Sequence, residues 1–240
     1  MIDFAQKKFG LISLGCDKNR VDSEKLLSII RERGCVITDD IAEAQIIIVN
    51  TCAFLNESRK EAIETVLECA AYKSENLEKL VITGCLPQKY VGETFDALVE
   101  ADVFLGTDDY DKIFEALDRA YLGERINSVG SGNGEYVSQR VITTPAHFAY
   151  LKIADGCNNR CTYCLIPKIR GKYKSYPIEQ LVKEAQGLGD VSELIIVAQD
   201  VTRYGIDLYG QKKLIEILQK LTALVNINSV RLLYCYPDMI

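Results

Sequence analysis

The chain has 240 residues, 48% of them apolar and 26% charged, with a net charge of −6 and a pI of about 5.0. This is the composition of a globular protein, and its acidic balance argues against broad nonspecific attraction to nucleic acid. The apolar runs are too short to span a membrane and the N-terminus lacks the apolar segment of a signal peptide. The sequence therefore predicts a cytoplasmic protein with no membrane partner and with reduced cysteines.

Short apolar runs alternate with helical patterns through the first 120 residues, which is typical of a parallel sheet covered by helices. The predicted helices are "VDSEKLLSIIRERG" and "ESRKEAIETVLECAAYK", in which apolar residues recur with a helical period. The strands are predicted near 9–14, 35–37, 46–50, 79–83 and 102–105. We expect residues 1–122 to form an N-terminal α/β domain.

The pattern dissolves between Gly123 and Pro145, where four glycines and two possible short strands occur. We predict that residues 123–145 are a linker or hairpin between two domains. A phosphate-binding loop is the alternative for "GSGNGE", but no helical pattern follows it, as a dinucleotide fingerprint requires.

A second series of strands and helices occupies residues 146–240. It consists of predicted strands at 148–154, 193–199 and 229–235 and predicted helices at 177–188 and 211–224. This βαβαβ order begins a second parallel sheet, and the last strand would expose an apolar edge of the kind that proteins normally cover. We therefore expect the 240 residues to be a fragment that ends within this domain.

Three cysteines follow predicted strands of the first domain by one to three residues. They are Cys16 in "LISLGC", Cys52 in "IIIVNTC" and Cys85 in "LVITGC". Parallel strands end at one edge of a sheet, so a shared metal or cluster site is predicted there, although cysteine is also a common buried residue. The remaining cysteines, Cys35, Cys69 and Cys235, are interpreted as core residues of strands or helices.

The loop after the first strand of the second domain contains Cys157, Cys161 and Cys164, with no fourth Cys or His close by. A closed zinc site requires a fourth ligand, a thioredoxin-type pair leaves Cys157 without a role, and ferredoxin spacing differs. The histidine His147 is interpreted as an ordinary loop or strand residue. The spacing fits a four-iron cluster whose fourth iron is left open for a small molecule.

The spacing Cys157-x3-Cys161-x2-Cys164, with Tyr163 before the last cysteine, resembles that of the radical S-adenosylmethionine (SAM) enzymes. The strand-end cysteines, "IPKIRG" and "VAQDVTRYG" extend this resemblance to the methylthiotransferase family, and "SLGCDKNRVDSEKL" resembles its RimO-type branch. The resemblance implies a methylthiotransferase N-terminal domain followed by the first half of a radical SAM (β/α) barrel. Members of the family continue through the rest of the barrel into a small C-terminal domain.

The resemblance implies two 4Fe-4S clusters, one on each set of three cysteines, and SAM as cofactor. The cluster on Cys157, Cys161 and Cys164 would generate a 5′-deoxyadenosyl radical from SAM, and the second cluster would carry the sulfur. The implied reaction adds a methylthio group to the β-carbon of an aspartate in a small-subunit ribosomal protein of the S12 type. An electron donor such as flavodoxin or ferredoxin is implied as a partner.

Three further residues are candidates for SAM binding by the same resemblance: the backbone of Tyr163 at the adenine, and Gln199 and Asp200 near the amino group. A polar strand end is the alternative for Asp200. Arg170 is expected to pair with a carboxylate of SAM or of the substrate. It is one of five basic residues between 157 and 176, a stretch without acids that is either a solvated loop or a local basic site.

Two other functions are left open by the sequence. The first is a tRNA methylthiotransferase acting on a modified adenosine, a branch that more often has Gln-Met-Asn where this chain has Asp17-Lys18-Asn19. The second is a noncatalytic module that binds zinc at one or both sets of cysteines.

Overall fold

The computed structural model describes residues 2–132, 134 and 136–237. The chain divides into two compact units, Met1–Glu135 and Tyr136–Ile240. The dividing point lies inside the segment 123–145.

The first unit is an α/β domain with a six-stranded sheet in the order β2-β1-β3-β4-β5-β6, in which every pair of neighbours is parallel. Its strands are β1 (Lys8–Ser13), β2 (Val36–Ile37), β3 (Ile46–Thr51), β4 (Lys79–Gly84), β5 (Val103–Phe104) and β6 (Ile126–Asn127). Its helices are α1 (Asp17–Glu32), α2 (Asn56–Ala71), α3 (Cys85–Ala97) and α4 (Ile113–Tyr121). The predicted parallel sheet covered by helices is confirmed.

The central strands of this sheet are buried on both faces, which explains their unbroken apolar sequences. All six residues of β3 are buried, as are five of the six in β4. By contrast, the pattern gives no sign of α3, because the helix has a kink with non-helical dihedral angles at Tyr90 and carries Pro87 in its first turn. The kink interrupts the helical period on which the sequence reading depends.

The second unit contains a three-stranded parallel sheet in the order β11-β10-β7 and a separate two-stranded antiparallel pair, β8 and β9. The strands are β7 (Phe148–Lys152), β8 (Ala154–Asp155), β9 (Lys174–Ser175), β10 (Val191–Val197) and β11 (Ile227–Leu232). The helices are α5 (Ile166–Ile169), α6 (Ile178–Gln186), α7 (Ile206–Tyr209) and α8 (Leu214–Thr222). The predicted βαβαβ order is confirmed.

One cysteine assignment from the sequence is wrong. Cys235 was expected in the core of a strand, but β11 ends at Leu232 and Cys235 is exposed beyond it. Cys35 and Cys69 are buried, as predicted. Burial raises the pKa of the Cys69 thiol to about 11 and also raises that of Cys35, so both remain protonated near neutral pH.

None of the helices in the described part of the chain is both long enough and apolar enough to cross a membrane. The cytoplasmic location remains a prediction.

Candidate functional site

The three strand-end cysteines lie at the carboxyl edge of the first sheet. Cys16 is the N-cap of α1 and lies three residues after β1, whereas Cys52 follows β3 directly and Cys85 follows β4 directly. The strands β1, β3 and β4 are consecutive neighbours. The strand order reverses between β1 and β3, and ligands of open α/β sheets bind at such a switch point, outside the carboxyl ends of the strands.

The side chain of Asn19, in the first turn of α1, connects all three strand ends. Its amide nitrogen donates to the carbonyl oxygens of Leu14 and Thr51, each at 3.0 Å. Its amide oxygen lies 3.7 Å from the Sγ of Cys85, which donates to it. Asn19 has no signal in the sequence pattern, because the apolar helical period begins at residue 21 whereas α1 begins at Asp17.

The backbone before Cys16 passes close to Cys52. Gly15 has a φ of +91°, and a Cβ at this position would lie 2.7 Å from the Cβ of Cys52 and 3.2 Å from its Sγ. Only glycine combines this dihedral angle with so close an approach. The turn that carries Cys16 is therefore brought directly against the end of β3.

The N-terminal ends of two helices lie at the same edge, since Cys16 caps α1 and Cys85 is the first residue of α3. Helix N-termini carry partial positive charge, which stabilises a bound anionic group. Three thiolates are the donors that an iron–sulfur cluster uses, so the residue types and the local charge fit such a cluster. Within the described ranges, no three His, Cys, Asp or Glu side chains are grouped for a single metal ion.

The second set of cysteines lies on a loop whose two ends are hydrogen-bonded to each other and whose middle is exposed. At the base, Ala154 and Asp155 of β8 pair with β9, and the N–H of Cys157 donates to the carbonyl oxygen of Gly171 at 3.1 Å. Cys157 and Cys164 are partly buried, whereas Cys161 is exposed. The loop therefore has a fixed base and presents its cysteines where a cluster and a small ligand have access.

Asp155, two residues before Cys157, is the centre of a buried polar network that the sequence reading missed. Its carboxylate accepts hydrogen bonds from Lys152 Nζ at 2.8 Å, Arg170 Nη1 at 3.0 Å and Gln199 Nε2 at 2.8 Å. Burial alone raises the pKa of Asp155, but the positive charges of Lys152 and Arg170 outweigh it and hold the pKa well below its usual range. The ionised carboxylate ties the two ends of the cysteine loop to the end of β10.

The location of Arg170 gives this residue a carboxylate partner within its own chain. Arg170 was expected to meet a carboxylate of SAM or substrate, and in the structure its buried guanidinium pairs with Asp155. The other basic residues of this stretch are exposed; they are Arg160, Lys168, Lys172 and Lys174.

The three candidate SAM contacts differ in their surroundings. Asp200 accepts hydrogen bonds from the N–H of Thr202 and from Arg203 Nε, each at 3.0 Å, which favours the alternative of a polar strand end that caps the following turn. The Oε1 of Gln199 is buried and has no hydrogen-bond partner among the described residues, so an acceptor is present for a ligand donor. The ring of Tyr163 is exposed, and the predicted contact through its backbone remains a prediction.

We expect Gly156→Ala to disrupt the base of the cysteine loop. Gly156 has a φ of +74°, and a Cβ there would lie 2.2 Å from the carbonyl oxygen of Lys172, which is backbone and cannot move aside cheaply. The combined strain and overpacking should lower the free energy of unfolding of this unit by about 2–5 kcal/mol. Denaturant titration, with iron content measured in parallel, checks this expectation.

Gly171→Ala provides the matched control, because Gly171 has a similar φ of +71° but nothing lies within 4 Å of its added Cβ. We expect the free energy of unfolding of this variant to fall only by the cost of the left-handed dihedral angle, about 1–2 kcal/mol, and its iron content to stay unchanged. Equal losses in the two variants would show that the close approach at Gly156 is unimportant.

Two family models match the chain, one on each unit. The model described as "Uncharacterized protein family UPF0004" matches residues 8–106, and the model of the "Radical SAM superfamily" matches residues 151–239. The fold is similar to that of a solved structure, the cobalamin-dependent S-adenosylmethionine radical enzyme OxsB, with a TM-score of 0.53 and 12% sequence identity. The similarity covers 90% of this chain and 36% of the OxsB chain. At this identity the likeness concerns the fold alone.

Curated bacterial relatives share much higher sequence identity. Proteins named ribosomal protein uS12 methylthiotransferase RimO are 50% identical in Clostridium tetani and in Lachnoclostridium phytofermentans, and 45% identical in Clostridium botulinum. The alignments cover 96–97% of this chain and 53–54% of the relatives. The chain thus spans about half the length of the curated relatives it matches.

Proposed function

The chain belongs to the radical SAM methylthiotransferase family, in its RimO-type branch, and we propose that it supplies the cluster- and SAM-binding part of a ribosomal protein methylthiotransferase. The reaction proposed is the addition of a methylthio group to the β-carbon of an aspartate in the small-subunit protein uS12. This ribosomal protein appears in the names of the relatives. The observation that carries this proposal is the presence of two separate sets of three cysteines, one at the carboxyl edge of the first sheet and one on the loop after β8.

The chemistry of this reaction requires a radical, because no side chain of ordinary pKa removes a proton from an unactivated carbon. When bound, the two clusters and SAM would supply that radical and the sulfur. Iron–sulfur clusters and SAM are the cofactors that the family uses; the count of two clusters in this chain is part of the proposal.

In the second unit, Cys157, Cys161 and Cys164 would hold one cluster, and the protein around them contributes position and electrostatics. The ionised Asp155 holds Arg170 and Lys152 at the base of the loop. The same carboxylate orients the amide of Gln199, whose buried Oε1 would accept a hydrogen bond from the amino group of SAM. A low-potential electron donor such as flavodoxin or ferredoxin is the partner that we propose for reduction.

In the first unit, Cys16, Cys52 and Cys85 would hold the second cluster at the sheet edge. The N-terminal ends of α1 and α3 lie beside this position and would stabilise its negative charge. The turn at Gly15 and the amide of Asn19 keep the three strand ends close together.

Mass spectrometry of substrates incubated separately with the full-length protein tests the proposed function. We expect an added methylthio group on uS12 when SAM, a reductant and the anaerobically loaded protein are present. The group should map to an aspartate. Modification of a tRNA adenosine with none on uS12 would favour the tRNA branch instead, and zinc in place of iron at both sets of cysteines would favour a noncatalytic module.

A further inference from the structure

We infer that Asn19 is a positioning residue that holds the strand ends carrying Cys16, Cys52 and Cys85 in the arrangement a cluster requires. The inference rests on the proposed function, since it assigns Asn19 a purpose only if these cysteines bind a cluster. It adds to that function a residue that is not itself a proposed ligand of a cluster.

The first observation is the use that Asn19 makes of its amide nitrogen. The side chain is fully buried, and the nitrogen donates to two carbonyl oxygens at 3.0 Å, that of Leu14 after β1 and that of Thr51 at the end of β3. Leu14 lies two residues before Cys16, and Thr51 immediately precedes Cys52. A single amide group therefore bridges the two chain segments at the switch point of the sheet, next to the backbone hydrogen bond from the N–H of Leu14 to the carbonyl oxygen of Asn50 at 2.8 Å.

The second observation is the contact with the third cysteine. The amide oxygen of Asn19 accepts a hydrogen bond from Cys85 Sγ at 3.7 Å. Cys85 belongs to neither of the segments that the nitrogen joins, because it follows β4. In the free thiol form, one side chain thus contacts all three cysteine-bearing strand ends. As a cluster ligand Cys85 would be a thiolate without this proton, so the two hydrogen bonds donated by the amide nitrogen carry the positioning.

The backbone of Asn19 is itself held by hydrogen bonds from the sheet beneath α1. Its backbone carbonyl oxygen accepts from Asn50 Nδ2 at 3.0 Å, and the same nitrogen donates to Ser23 Oγ at 2.9 Å. The hydroxyl of Ser23 in turn donates to that of Ser13 in β1 at 2.8 Å. These hydrogen bonds fix the backbone that carries the amide, and a pre-ordered position of this kind lowers the ordering cost of binding.

Only an amide of this length supplies the required groups. Asparagine offers two N–H donors and one acceptor, whereas an ionised aspartate of the same shape has acceptors only. In Asn19→Asp, both carbonyl oxygens would face a carboxylate, so the two donated hydrogen bonds are lost while the volume is unchanged. Outer-shell partners of metal ligands typically contribute 10–100-fold to metal affinity.

The test uses the full-length protein with Cys157, Cys161 and Cys164 replaced by alanine, so that bound iron reports on the first unit alone. In this parent protein we compare Asn19→Asp, Asn19→Ser and the control Ser28→Ala, which removes a buried hydrogen bond to the carbonyl oxygen of Lys25 further along α1, outside the network around Asn19. The measurements are iron retention against a chelator, the electron paramagnetic resonance spectrum of the reduced cluster, and the melting temperature without iron.

We expect Asn19→Asp and Asn19→Ser to lose iron affinity by about 10–100-fold and to show an altered resonance spectrum. Ser28→Ala should keep the iron affinity and the spectrum of the parent protein, even if its melting temperature falls as much as that of the Asn19 variants. Parent-like affinity and spectrum in Asn19→Asp overturn the inference. So does failure of both Asn19 variants to fold while Ser28→Ala folds, because Asn19 would then serve the fold itself. A parent protein that binds no iron would instead contradict the proposed cluster of the first unit. Failure of the proposed function therefore shows in the parent protein, whereas failure of the Asn19 inference shows only in the variants.

Discussion

Replacing Cys157 with alanine is expected to abolish the reductive cleavage of SAM to 5′-deoxyadenosine. Three thiolates are the full protein ligand set proposed for this cluster, and Cys157 is the one whose backbone is anchored to the base of the loop through Gly171. The loss of one direct ligand should exceed the 10–100-fold effect typical of an outer-shell partner, so we expect a decrease of more than about 100-fold. Chromatographic measurement of 5′-deoxyadenosine formed under strong reductant checks this.

Cys235→Ala is the control for this prediction, because Cys235 is exposed and lies beyond the last strand of the same unit. It should form 5′-deoxyadenosine at the rate of the unchanged protein. Persistent SAM cleavage in Cys157→Ala would contradict the assignment of the loop as the site of radical formation.

Replacing Cys52 with alanine is expected to separate the two halves of the reaction. The loop of the second unit keeps its three cysteines, so SAM cleavage should continue at a rate within about 10-fold of the unchanged protein, the lower limit of an outer-shell effect. The first unit would lose one of three proposed ligands, so the methylthio group on uS12 should disappear. The two products are measured in the same reaction, by chromatography and by mass spectrometry.

Cys35→Ala is the matched control in the first unit, because Cys35 is buried with a raised thiol pKa and lies away from the carboxyl edge, before β2. It should retain both products, with at most a modest loss of stability. A methylthiolated product formed by Cys52→Ala would rule out the proposed role of the strand-end cysteines.

The fold and the cysteine positions were largely predictable because both depend on local pattern. Buried strands such as β3 show as continuous apolar runs, and the residues that follow parallel strands must share an edge. Cys16, Cys52 and Cys85 could therefore be assigned to one edge of the sheet, although almost 70 residues separate the first from the last.

The groups that support the cysteines were not predictable in the same way. Asn19 and Asp155 act through hydrogen bonds to residues distant in sequence, Thr51 and Gln199, and no spacing rule connects these pairs. The boundary of the last strand was also missed, because an apolar run such as "RLLYCYP" does not reveal where pairing stops. As a result Cys235 was misplaced.

The central claim is that two sets of three cysteines each hold a four-iron cluster. It is tested most directly by iron, sulfide and zinc analysis of the anaerobically reconstituted full-length protein, alongside two triple alanine variants. One variant replaces Cys16, Cys52 and Cys85, and the other replaces Cys157, Cys161 and Cys164. We predict about eight irons in the unchanged protein and about four in each variant. Zinc in place of iron, or iron content that does not fall in either variant, would contradict the account.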